Sequence, residues 1–227
     1  MKHTFIASTC AGVLFAAMIS SPTVLFGQPT PPALSADQVV ARMQQFYNTT
    51  TDYQADFFQT YFNRLFNNYQ RSRGKVYFKK PGRMRWEYAA PERKLFVSDG
   101  RTMWAYEPEA NQAFQQSLRD SQLPTALSFL TGQGDLATEF NFRLIPAQSY
   151  GFTGGHVVEL RPKTANPQYE RLVLFVDGTS YQVKRSLVID QAGNRNKMEF
   201  QNARQNQGIP DSRFSFTPPQ GVRIIRP

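Results

Sequence analysis

Groups that could do covalent chemistry are scarce in this chain, and their spacing does not suit it. The 227 residues hold two histidines and one cysteine. His3 and Cys10 fall within the first ten residues, which leaves His156 alone in the remainder. One imidazole without a thiolate gives no usual zinc set. No Gly-x-Ser-x-Gly elbow is present, and Gly74-Lys75 lacks the upstream glycines of a phosphate-binding loop. Asp99 and Asp177 each precede a glycine, which marks them as turn residues. Glu87 and Glu92 could form an acid pair, but they fall on an exposed strand face and in a turn. The expectation is a protein that is not an enzyme, with no metal and no cofactor.

What the chain has in quantity is aromatic and apolar surface, at 14% aromatic and 41% hydrophobic residues. Met84, Trp86 and Tyr88 stand at every second position, with Arg85 and Glu87 between them. Both tryptophans lie between Gly74 and Pro108, so this stretch reads as one aromatic-lined concave wall. In Lys75-Val76-Tyr77-Phe78-Lys79-Lys80, strand parity puts Lys75 and Lys79 in water and Val76, Phe78 and Lys80 inward. A cation at that place needs acceptors, and the unsatisfied carbonyls at a helix C-terminus are suitable ones. Lys80 is therefore a candidate latch for a helix, or else a lysine that snorkels past the sheet edge.

These residues need elements to hold them. Val76–Phe78, Met84–Tyr88, Leu95–Val97 and Met103–Tyr106 are short alternating runs broken by Pro81-Gly82, Pro91 and Asp99-Gly100. That pattern predicts consecutive antiparallel strands. Strand runs resume at Phe140–Leu144, His156–Leu160, Arg171–Val176, Tyr181–Asp190 and Lys197–Phe200, and Phe214 and Phe216 alternate before Pro218-Pro219. Ser35 and Gln38 predict a capping box, followed by a helix whose apolar stripe is Val39, Met43 and Phe46, flanked by Val40 and Tyr47. Pro124–Leu130 has helical spacing, with Leu127 and Leu130 on its apolar side. Such short helices must lie on something apolar. The predicted fold class is mainly β with short α-helices: an unclosed antiparallel β-barrel, or curved sheet, with a helical lid over an apolar cavity.

Residues 1–27 read as a secretory signal peptide, with Lys2 as the charged start and a short apolar run to Ile19. Residues 28–34 are a Pro-rich leader, and 35–227 form one domain. Cys10 lies in the signal, so the exported chain has no thiol and relies on its core. The net charge is +9. The basic residues are dispersed among acids, as in Arg83, Arg85, Glu87, Glu92 and Arg93. No dense run suited to tracking phosphates is present, which argues against nucleic acid.

These residues resemble the periplasmic outer-membrane lipoprotein carrier family, the LolA type. The resemblance rests on Tyr53-x-Ala55-x-Phe57-x-Gln59, Gly74 to Tyr88, Val97-Ser98-Asp99-Gly100-Arg101-Thr102-x-Trp104-x-Tyr106-x-Pro108 and Phe214 to Val222, in order behind the first helix. It implies that Ser35–Tyr47 and Pro124–Leu130 are lid helices over a cavity for acyl chains. The cavity residues would be Val39, Met43, Phe46, Phe57, Val76, Phe78, Met84, Trp86, Tyr88, Leu127 and Leu130. The implied function is a periplasmic chaperone for acylated lipoproteins. An inner-membrane lipoprotein-releasing ABC transporter would load it, and an outer-membrane receptor of the LolB type would accept its cargo. The carrier would be a monomer. A lipid-binding or sensing module of the same fold, not dedicated to lipoproteins, is the alternative. Lys80 stands where the family usually has arginine, and lysine lacks arginine's fixed fork of donors.

Overall fold

The computed structural model describes residues 33–118 and 134–226. Every element below belongs to one compact unit that begins at Leu34. The expected signal peptide and the expected helix at Pro124–Leu130, with Leu127 and Leu130, lie outside the described residues.

Helix α1 (Ala36–Thr49) begins as its sequence requires. Ser35 Oγ accepts from the Gln38 amide, and Gln38 Oε1 accepts from the Ser35 amide. Each side chain thereby satisfies a backbone donor that the helix itself leaves orphaned. The next six strands form a meander: β1 (Asp52–Asn63), β2 (Asn68–Lys79), β3 (Arg83–Tyr88), β4 (Leu95–Asp99), β5 (Thr102–Glu107) and β6 (Gln112–Ser117). A single turn, α2 (Leu136–Glu139), precedes a second meander of β7 (Phe140–Ile145), β8 (Gly155–Pro162), β9 (Arg171–Asp177), β10 (Val183–Ile189) and β11 (Arg195–Gln205). The last strand is β12 (Arg223–Ile225).

The twelve strands among the described residues join one curved sheet in the order β12-β6-β5-β4-β3-β2-β1-β11-β10-β9-β8-β7. The β1–β11 ladder welds the two meanders, and β7 and β12 are left as edges, so the barrel stays unclosed. Every ladder is antiparallel except β12 on β6, which is parallel. The Asp-Gly turns act as turns: Asp99 Oδ1 accepts from the Arg101 and Thr102 amides, and Asp177 Oδ1 from those of Thr179 and Ser180.

Period-2 alternation separates the faces. Tyr53, Ala55, Phe57, Val76, Phe78, Met84 and Trp86 point to the concave side, where they cluster with α1. Two expectations need correction here. Trp104 does not share a wall with Trp86; it lies on the convex face, 5.7 Å from the Phe216 ring. Phe214 and Phe216 are not strand residues, because Asp211–Phe214 is a 3-10 turn laid across the outside of the sheet. Phe214 is buried there with Tyr77 and Ile209. The sequence pattern was real in both cases, but a strand's polar-looking face can be covered by a distant segment that the local pattern cannot show.

Candidate functional site beneath the first helix

The concave face of β1–β3 is built row by row. Ala55, Val76 and Trp86 are register partners across β1, β2 and β3. The next row is Phe57, Gly74 and Tyr88. Gly74 is required by packing: a Cβ there would fall 1.9 Å from the Glu87 carbonyl oxygen and 2.8 Å from the Phe57 ring. Without it, Phe57 and Tyr88 meet across the glycine at 4.8 Å between centroids. Trp86 contacts Phe57 at 5.1 Å, Phe78 at 5.6 Å and Phe200 at 6.4 Å, mostly edge to face. That is the arrangement aromatic quadrupoles favour.

Helix α1, set close against α2, β7 and β8, joins the same apolar cluster. Val39 and Met43 have no exposed area, and Val40 and Tyr47 have almost none. Phe46 packs at the margin of the same cluster. The structure thus brings together nine of the expected cavity residues, Val39, Met43, Phe46, Phe57, Val76, Phe78, Met84, Trp86 and Tyr88, in one apolar cluster. In this state α1 itself occupies the concave face. Burial pushes the Tyr88 hydroxyl up to about 12 and raises the hydroxyls of Tyr47 and Tyr53 as well, so all three remain neutral.

A few polar contacts fix the helix. Lys80 Nζ donates to the carbonyls of Tyr47 and, at 3.1 Å, Asn48, in the last turn of α1. Burial lowers the pKa of that ammonium, while the helix-end carbonyls favour its charge. The Val183 amide donates to Tyr47 Oη at 3.1 Å. Arg42 donates to Tyr181 Oη at 2.5 Å and lies over that ring. The Leu136 amide donates to Gln44 Oε1. Among the described residues, no cluster of His, Cys, Asp and Glu could hold a metal ion. His156 stacks on Tyr181 at 6.2 Å.

Sequence reasoning missed the other half of the surface. Val158, Leu160, Leu172, Leu174, Met198 and Phe200 extend the concave cluster across β8, β9 and β11. The parity of Leu172 and Leu174 was concealed because β9 is apolar on both faces, whereas Glu159 and Arg161 on β8, and Lys197 and Glu199 on β11, do alternate with the inward residues. Val157, Val173 and Phe175 pack outward against Tyr150 and Phe152. A doubly buried strand shows no alternation to read.

The curved sheet has a counterpart in sequence. The profile described as "Outer membrane lipoprotein carrier protein LolA" matches residues 48–217. This chain belongs to that LolA family. The outer-membrane lipoprotein carrier protein of Nitrosomonas europaea is 30% identical over 199 residues, covering 87% of this chain and 92% of its own length. That of Chromobacterium violaceum is 26% identical over 209 residues, covering 92% and 96%. A crystal structure from Thermus thermophilus, of an uncharacterized conserved protein, aligns with a TM-score of 0.54 at 14% identity. It covers 85% of this chain and 99% of that one, and it shares the fold. The LolA match spans β1 to the convex 3-10 turn, so it includes every concave strand named above.

Proposed function

We propose that this LolA-family carrier holds the acyl chains of lipoproteins on the concave face of its sheet, in the place α1 occupies here. The observation that supports this is the division of contacts. The helix covers a continuous apolar surface, yet its polar attachments are few and lie at its ends and margin.

Magnitudes make the exchange feasible. Four buried side chains of α1 contribute roughly 6–12 kcal/mol at about 1.5–3 kcal/mol each, an upper bound. One acyl chain of about fifteen methylenes gains on the order of 12 kcal/mol when it leaves water, at about 0.8 kcal/mol per CH₂. A lipid tail can therefore replace the helix on the same surface at little net cost. Once the tail leaves, the helix returns. No bond is made or broken, and only two populated states are required.

Within this reading, residues 1–27 direct export and the protein works in the periplasm. An inner-membrane lipoprotein-releasing ABC transporter loads it, and an outer-membrane receptor of the LolB type unloads it. Among the described residues no helix is long and apolar enough to cross a membrane.

The two tryptophans give a direct test, because they lie on opposite faces. A triacylated lipopeptide with brominated chains should quench Trp86 in a Trp104→Phe variant. It should leave Trp104 unquenched in a Trp86→Phe variant. Equal quenching of both, or of neither, would remove the concave face as the binding surface. A protein that takes free phospholipid and refuses lipopeptide would be a lipid-binding module instead.

A further inference from the structure

Among the described residues, four of the five large hydrophobic side chains with conspicuous exposure belong to one hairpin: Phe58 at 39%, Leu65 at 84%, Phe66 at 72% and Tyr69 at 62%. Concentrated exposed apolar surface marks an interaction site, whereas scattered single residues do not. The hairpin is β1–β2, and Leu65 and Phe66 form its tip.

Its construction presents the tip outward. β2 pairs with β3 only from Gly74 onward, so Asn68–Ser72 extend past β3 with β1 as their ladder partner. At about 3.3 Å per residue that overhang is roughly 16 Å. The tip is shaped as well as exposed. The Phe66 amide donates to Asn63 Oδ1, Asn67 has φ 48°, and the Arg64 amide donates to Asn194 Oδ1.

The charge carried by the hairpin itself beyond Asp56 has one sign. From Phe57 through Trp86 there is no aspartate or glutamate. The dispersal of acids among bases seen after Glu87 fails here. Arg64, Arg71, Arg73 and, from β11, Arg195 are exposed. None of the four forms an ion pair among the described residues. Asp190, the neighbouring acid on the β10–β11 turn, is engaged by Asn194. Tyr69 stacks against Phe62, over which Arg195 lies.

We infer that the tip of the β1–β2 hairpin docks on an anionic lipid bilayer: Leu65 and Phe66 enter the acyl boundary while the arginines and Tyr69 lie among the headgroups. An apolar point ringed by aromatic side chains and by arginines that form no ion pair among the described residues is the composition that partitions into that interface. A second copy of the chain fits less well, because it would bring the same unpaired arginines to the contact. The inference is independent of what the concave face holds, and no cargo is present in its test.

The test reads the tip itself. In a Cys10→Ser background, an environment-sensitive label is attached at Leu65→Cys, or at Ile224→Cys on the far edge strand as a control. Vesicles are either phosphatidylglycerol-rich or phosphatidylcholine alone. Expected is a blue shift and quenching by brominated lipid at position 65 with the anionic vesicles. Little change is expected at position 224. Paired Arg71→Gln and Arg73→Gln substitutions should raise the half-saturating lipid concentration about tenfold or more, and salt should do the same. A label at 65 that stays aqueous with anionic vesicles overturns the inference, as does an equal response at 224. A label at 65 that responds to protein concentration without lipid, with dimers in sedimentation, also overturns it and makes the tip a self-contact.

Discussion

Helix α1 and the C-terminal segment cover the same sheet on opposite faces, and they are attached by different means. The C-terminal segment is tied along its length. Asp211 pairs with Lys79 at 2.6 Å and Arg83 at 3.4 Å. Arg213 stacks on Tyr77 at 4.3 Å and donates to its hydroxyl. Phe214 is buried, and β12 adds backbone pairing to β6. Helix α1 has an equally apolar underside, but no strand pairing and no ion pair to the sheet among the described residues. Apolar burial is non-directional and can be replaced by any oily ligand. Strand pairing and charge geometry cannot. On the proposed reading, α1 is the removable cover and the C-terminal segment the permanent one.

The largest expected effect separates the two covers by stability. Phe214→Ala should cost about 3–5 kcal/mol, roughly 10 °C in midpoint for a unit of this size. Met43→Ala removes a comparable side chain from α1. Its global cost is capped by the free energy of closing the helix, because α1 can open before the sheet unfolds. Its thermal midpoint should fall by much less, with faster amide exchange confined to α1. Equal losses in both variants would make α1 an integral part of the core.

Lys80→Leu sharpens the same contrast. It removes the donor to the Tyr47 and Asn48 carbonyls. At about 1 kcal/mol for a partly solvated charged hydrogen bond, α1 amide exchange should rise about fivefold, and lipopeptide should load and leave faster. Lys80→Arg should restore or slow both. Unchanged exchange in Lys80→Leu would strip the contact of any role in closure.

The smallest effect concerns pH and belongs to the convex side. The hydrogen bond from Lys79, with the charge of Arg83, holds Asp211 below its ordinary 3.8. A carboxylate with a lowered folded value contributes stability above the ordinary value and loses it as pH falls through the folded one. Exchange at Asp211–Phe214, corrected for the intrinsic pH dependence of amide exchange, should therefore rise modestly from pH 6 to pH 3, and Asp211→Asn should abolish the difference. A larger rise in α1 would reverse the assignment of the weaker cover.

Much of this protein was legible along the chain because local physics decides it. The Ser35–Gln38 capping box, the Asp-Gly turns and the inward parity of Val76, Phe78, Met84 and Trp86 depend on neighbours within a few residues. Lys80 was legible as a cation in need of acceptors, though which carbonyls it would find depended on where α1 came to lie. Contacts between distant segments were decided only by the tertiary structure. Trp86 and Trp104 have similar sequence surroundings, yet one faces α1 and the other Phe216. The apolar run of β9 specifies a strand without telling which side meets the helix, since both sides are buried. Alternation fixes what a side chain's own strand can do with it, while the choice of covering element is a long-range outcome of the β1–β11 weld and the edges it leaves free.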